Sequence, residues 1–192
     1  MNYIPIRAFL ESVFNVHSSV TFHVQILQRS KDGHDKSTRL ITEWFVGSLD
    51  RFDLIIPAIK LLCKEYKARC YINLNPKSNK QVVYKLLKNV VERVETGSYH
   101  INSILSHCHD GIYSNTGKTW VVDIDDKDVD TNKLIIDINK CRSGHKKNVI
   151  MCLPTKNGKH IITHPFDVTQ LQLPDGVEIK KNNPTLLDYD NS

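Results

Sequence analysis

The chain has no apolar run long enough to cross a membrane as a helix, so a membrane-embedded protein is not expected. It opens on Met-Asn-Tyr-Ile-Pro-Ile-Arg, with no charged segment leading into an apolar stretch, so no signal peptide is expected. There is no C-x-x-C pair. The five cysteines (Cys63, Cys70, Cys108, Cys141 and Cys152) are scattered and odd in number, which argues against a disulfide framework. Most sit in apolar surroundings, as reduced core thiols of an intracellular, cytoplasmic protein do. Internal repeats, low-complexity stretches and recognisable linkers are also missing. What is present is ordinary globular material: 192 residues, 40% hydrophobic, enough for a core. The net charge of +5 is mildly basic and favours a polyanionic partner.

Hydrophobic periodicity orders the elements. Apolar positions at helical spacing predict a helix over 4–14. Alternation predicts strands over 20–29 and 38–46, joined by a charged loop around Gly33. A helix over 51–66 follows, capped by Ser48 or Asp50, with Pro57 as a possible kink. Arg69-Cys-Tyr-Ile-Asn-Leu-Asn reads as a strand ended by Pro76. Ser78 caps a helix over 79–95 whose inward positions are Val82, Val83, Leu86, Leu87, Val90 and Val94. The stretch 96–117 is polar. Within it, His107-Cys108-His109-Asp110 offers zinc-type donors, but a structural site needs a second ligand pair and none stands at suitable spacing, so an exposed connector is expected.

The stretch Lys118-Thr-Trp-Val-Val-Asp-Ile-Asp-Asp organises the second half. Trp120, Val121 and Val122 mark a buried strand that runs into Asp123 and Asp125. Residues two apart on a strand share a face, so both carboxylates point the same way. Like charges this close repel unless a cation lies between them, and Mg²⁺ or Mn²⁺ takes such oxygen ligands together with substrate phosphates. The plainer alternative is an acidic strand end turning into a polar loop, since Asp126, Lys127, Asp128 and Asp130 follow.

A helix over 130–141 and a strand over 147–153 come next. Asn157-Gly158 then marks a hairpin turn into Lys159-His-Ile-Ile-Thr-His. Lys156, Lys159 and His160 on that hairpin suit a triphosphate, and Gly158 lets backbone approach a ligand closely. The alternative is a basic hairpin with solvated lysines and a structural histidine. Asp167 caps a short helix, Leu173-Pro-Asp-Gly turns, 177–180 is a last strand, and the tail is an extended end. The whole reads as α+β, with mixed or antiparallel sheets and flanking helices. A single domain over 1–192 is expected, with an N-terminal α/β module over 1–96 and an RNA-recognition-like (RRM-like) module over 97–185.

Taken together, Val121-Val-Asp123-Ile-Asp125 and Gly158-Lys159-His160 resemble the first two motifs of the archaeo-eukaryotic primase superfamily, the primase-polymerases: hydrophobic residues before Asp-x-Asp, then small-x-His. The resemblance covers about residues 65–185. It implies divalent metal at Asp123 and Asp125 and contact between His160 and the incoming nucleotide's phosphates. The family's third motif, a hydrophobic residue then Asp, has no clear match. Glu178, Asp167 and Asp188 are the open alternatives for a third carboxylate. The implied activity is a metal-dependent nucleotidyltransferase using Mg²⁺ or Mn²⁺. Its partners would be nucleoside triphosphates, a single-stranded or primer-template nucleic acid, and a helicase. Arg69 and Asn73 are further candidates for nucleotide or template contact. The small size suits a virus or mobile element. Two other readings use the same residues: a catalytically inactive nucleotide- or nucleic-acid-binding protein, and a metal-dependent nuclease.

Overall fold

The computed structural model describes residues 1–30, 37–97, 118–126 and 128–189. The cluster His107–Asp110 and its connector lie outside the described residues, as does the loop around Gly33. The first half builds α1 (Tyr3–Phe14), β1 (Val20–Gln28), β2 (Arg39–Val46), α2 (Leu49–Glu65), β3 (Arg69–Ser78) and α3 (Asn79–Glu95). The second builds β4 (Trp120–Ile124), α4 (Thr131–Lys140), β5 (Val149–Pro154), β6 (Lys159–Thr163), a 3-10 turn (Val168–Gln170), β7 (Val177–Lys181) and β8 (Thr185–Tyr189). The protein is α+β, with two four-stranded antiparallel sheets and four helices among the described residues.

Local chemistry accounts for the element ends. The hydroxyls of Ser48 and Ser78 accept from the backbone N–H of Arg51 and Gln81, and Asp130 accepts from Asn132 and Lys133. Pro57 sits inside α2 without ending it. Pro76 does not end its strand either, because β3 runs on to Ser78. The register between β1 and β3 shifts between Thr21 and His23, and pairing resumes at Thr21↔Lys77. The pairs of β8 with β3 cover only residues 69–72, so at Pro76 no ladder bond to β8 is lost for want of an N–H. In α3 the cap is as expected but the burial is not: none of its residues is buried, and Val83, Leu87 and Val94 are exposed. An amphipathic stripe shows that a helix has an apolar face, not that something lies on it.

The first sheet has strand order β2-β1-β3-β8 and the second β5-β6-β4-β7. The extended tail expected from sequence is a strand over Thr185–Tyr189. Residues 185–189 return from the second sheet to pair with β3 (Cys70↔Asp188, Ile72↔Thr185). The main core joins α1, α2 and the first sheet, and takes in Val121, Leu153 and Ile162 from the second. A smaller core under α4 holds Val122, Ile124, Leu134, Ile138 and Ile161. Strand alternation explains the split: Val121 and Ile162 lie on one face of the second sheet, Val122, Ile124 and Ile161 on the other. Polar ties reinforce the join. The Asn2 amide donates to the carbonyls of Pro154 and Leu186, and Asn75 donates to the Thr119 carbonyl and to Asn182. Cys63, Cys70 and Cys141 are buried free thiols, as expected, whereas Cys152 is exposed.

Candidate active-site cleft

The face of the second sheet that carries Val121 and Ile162 becomes polar toward one end. Asp123 on β4 lies directly opposite His160 on β6 and Glu178 on β7. Val177 and Ile179 turn into the core beneath α4, so Glu178 and Lys180 occupy the other face with Asp123. Lys180 pairs in register with Val121, and its side chain reaches diagonally along the sheet to Asp123.

The result is a compact charge cluster. The Lys180 ammonium stands 2.5 Å from Oδ2 of Asp123 and 3.3 Å from Oε2 of Glu178. His160 Nε2 is 3.1 Å from Oδ1 of Asp123, and its Nδ1 is 2.8 Å from Oγ1 of Thr185. A carboxylate can only accept, so Nε2 carries the proton, and in the neutral ring Nδ1 accepts from the Thr185 hydroxyl. Burial pushes the Asp123 carboxyl upward. The hydrogen bonds and charges of His160 and Lys180 outweigh it and hold the group down at about 2. Burial likewise works against the Lys180 ammonium, but Asp123 and Glu178 raise its pKa above the ordinary lysine value.

Asp123, Asp125 and His160 open into one cleft of about 810 Å³, a volume suited to a nucleotide-sized ligand. Its other wall comes from the first sheet: Leu27, Arg29, Arg69 and Tyr71, with the Arg29 guanidinium donating to the Tyr71 hydroxyl at 3.0 Å. Lys156 and Asn157 of the hairpin close one side, and Lys180 lines the floor. The cleft thus combines two carboxylates with four basic side chains and an imidazole. A concavity of similar size, about 840 Å³, lies beside α4 on the other face of the second sheet and contains neither Asp123 nor His160.

The sequence-predicted residues divide accordingly. Asp123, Asp125, His160, Lys156 and Arg69 meet in the cleft. Lys159 does not line it. Lying next to His160 on a strand, it projects to the opposite face, where its ammonium donates to Thr131 Oγ1 at 3.2 Å. Gly158 is not among the cleft-lining residues and sits at a close backbone approach, since a Cβ there would sit 1.8 Å from the Ile124 carbonyl oxygen. Asn73 is not among the cleft-lining residues; it accepts from the Asn75 N–H and donates to Asn182. Among the proposed third carboxylates, Asp167 caps the 3-10 turn and accepts from Thr169 and Gln170. Asp188 is buried on β8 and accepts from the Tyr3 hydroxyl. Glu178 is the alternative that shares the Asp123 face. Sequence reasoning missed Lys180, Arg29, Tyr71 and Thr185. Alternation puts Lys180 on the Glu178 face, but only strand register brings it to Asp123.

Among the described residues, no three His, Cys, Asp or Glu side chains converge closely enough to form a ready metal cage. The oxygen donors nonetheless suit a hard cation, and one is already there, since the Lys180 ammonium bridges Asp123 and Glu178. No protein-family model, curated protein or solved structure matches the chain.

Proposed function

We propose that the chain is a primase-polymerase-like nucleotidyltransferase that joins nucleotides on a nucleic-acid template. One observation carries the reading. Asp123 and His160, 37 positions apart in the chain, face each other in register and open with Asp125 into a basic cleft of nucleotide size. The strand order of the second sheet also supports it. A strand–helix–strand–strand–turn–strand path with order β5-β6-β4-β7 places β4 and β6 at the centre, as in an RRM-like module.

In this reading Asp123 and Asp125 hold Mg²⁺ or Mn²⁺, with Glu178 beside them. The metal's contribution would be to activate the attacking hydroxyl and steady the leaving pyrophosphate. Arg69, Lys156, Arg29 and Lys180 supply positive charge along the cleft for a triphosphate. In this reading the Nε2–H of His160, which Asp123 accepts in the free cleft, turns to a phosphate oxygen of the bound nucleotide. On the same reading, Arg29 and Tyr71 on the opposite wall meet the nucleotide or template strand. Incubation with labelled nucleoside triphosphates, a primed single-stranded template and Mn²⁺ tests the proposal. Primer extension is expected from the native protein, with at least a hundredfold loss in Asp123→Ala/Asp125→Ala. Equal product from both proteins would end the proposal, and shortening of the primer would indicate a nuclease instead.

A second reading is favoured by the occupied state of Asp123, both of whose oxygens are held by protein groups. On that reading the cleft binds nucleotide or nucleic acid without chemistry. Salt-dependent template binding that survives the two Asp→Ala changes, with no extension, would select it.

A further inference from the structure

We infer that Lys180 is a built-in placeholder cation, which keeps a lone divalent ion out of the cleft and gives up Asp123 only when metal and triphosphate arrive together. The inference rests on the nucleotidyltransferase reading and adds an order of binding to it. Its basis is geometric. The ammonium sits between Asp123 Oδ2 (2.5 Å) and Glu178 Oε2 (3.3 Å), the place a bridging cation would take. Oδ1 of the same carboxylate is held by His160. A divalent ion on Asp123 must therefore displace Lys180, and the displaced ammonium is left with only the exposed Glu178 carboxylate.

The cleft provides for that exchange. The Lys180 side chain is about one-third exposed and itself lines the cleft with Asp125, Lys156 and Arg69. When a triphosphate lies there, the ammonium can pass from carboxylate to phosphate oxygen without losing an anionic partner. Metal alone brings no new acceptor and leaves the ammonium only the solvent-exposed Glu178. The free protein then binds metal weakly, and metal and nucleotide strengthen each other by the same factor, as linkage requires.

Equilibrium dialysis with Mn²⁺, alone and with a non-hydrolysable α,β-methylene nucleoside triphosphate, tests this on the full chain. Lys180→Met is expected to bind Mn²⁺ alone at least tenfold more tightly than the native protein, and to bind the analogue in Mn²⁺ at least threefold more weakly. Lys180→Arg, which keeps a cation in place, should stay near native for Mn²⁺ alone. Should Met disturb the fold, as judged by thermal melting, Lys180→Gln is read in the same way. Native-like Mn²⁺ affinity in the neutral variants would overturn the inference, as would unchanged analogue affinity. If that occurred while the native protein still extended primers, the nucleotidyltransferase reading would stand without the placeholder. If Asp123→Asn/Asp125→Asn retained full Mn²⁺ and analogue binding, both would fall.

Discussion

At the scale of single residues, the cleft is governed by one carboxylate with an ammonium and an imidazole beside it. Asp123 keeps only 12% of its side chain exposed, so its charge is tolerable because Lys180 and His160 compensate it. Its carboxyl is held at about 2, below the ordinary 3.8. A depressed folded-state value contributes stability that is complete above the unfolded value and is lost as pH falls through the folded one. At about 1.4 kcal/mol per pH unit, the contribution is roughly 2 kcal/mol. Urea unfolding of native protein and Asp123→Asn should therefore show a stability gap that closes by about that amount between pH 5 and pH 2. A gap independent of pH would show that the Lys180 and His160 contacts do not shape this carboxyl. The acidic pair and His160 are legible in sequence because each stands in a short local pattern. Lys180 is not, since its meaning depends on which strand lies beside it.

At the scale of elements, the hairpin joining β5 to β6 shows how local signals are correct in kind and incomplete in purpose. Asn157-Gly158 marks the turn, and the turn is there, closed by a hydrogen bond from the Thr155 N–H to the Gly158 carbonyl at 2.9 Å. Glycine is needed, however, because the hairpin presses on the end of β4, so closely that a methyl group on residue 158 would overlap the Ile124 carbonyl. Gly158→Ala must push backbone from backbone at the strand that carries Asp123. Destabilisation of about 2–4 kcal/mol is expected, read as a lower thermal midpoint, with weakened triphosphate binding. A midpoint unchanged from the native protein would show that the hairpin yields freely. β3 teaches the same lesson. Pro76 is a fair stop signal, yet the shift in register against β1 allows the strand to pass through it.

At the scale of the whole molecule, the two sheets share a core, and β8 links them. Thr185, Leu186 and Leu187 are buried. Leu187 belongs to the main core, and Thr185 holds the His160 ring. Burying a leucine is worth about 1.5–3 kcal/mol, and net domain stability is about 5–15 kcal/mol. A chain ending at Pro184 is therefore expected to lose its cooperative thermal transition or melt far below the native protein. An unchanged transition would mean that β8 is peripheral. The tail reads as an extended end because five residues carry little pattern of their own. Their strand character comes from pairing with β3, more than a hundred positions earlier in the chain.

The sequence by itself determined the element types, most of the caps and the shared face of Asp123 and Asp125, because hydrophobic period, capping hydroxyls and strand alternation are properties of neighbouring residues. Only the tertiary structure decided that His160 stands across from Asp123, that Lys159 turns away, and that an ammonium from β7 lies between Asp123 and Glu178. Those outcomes depend on strand order and register, which are set by how distant apolar faces pack together.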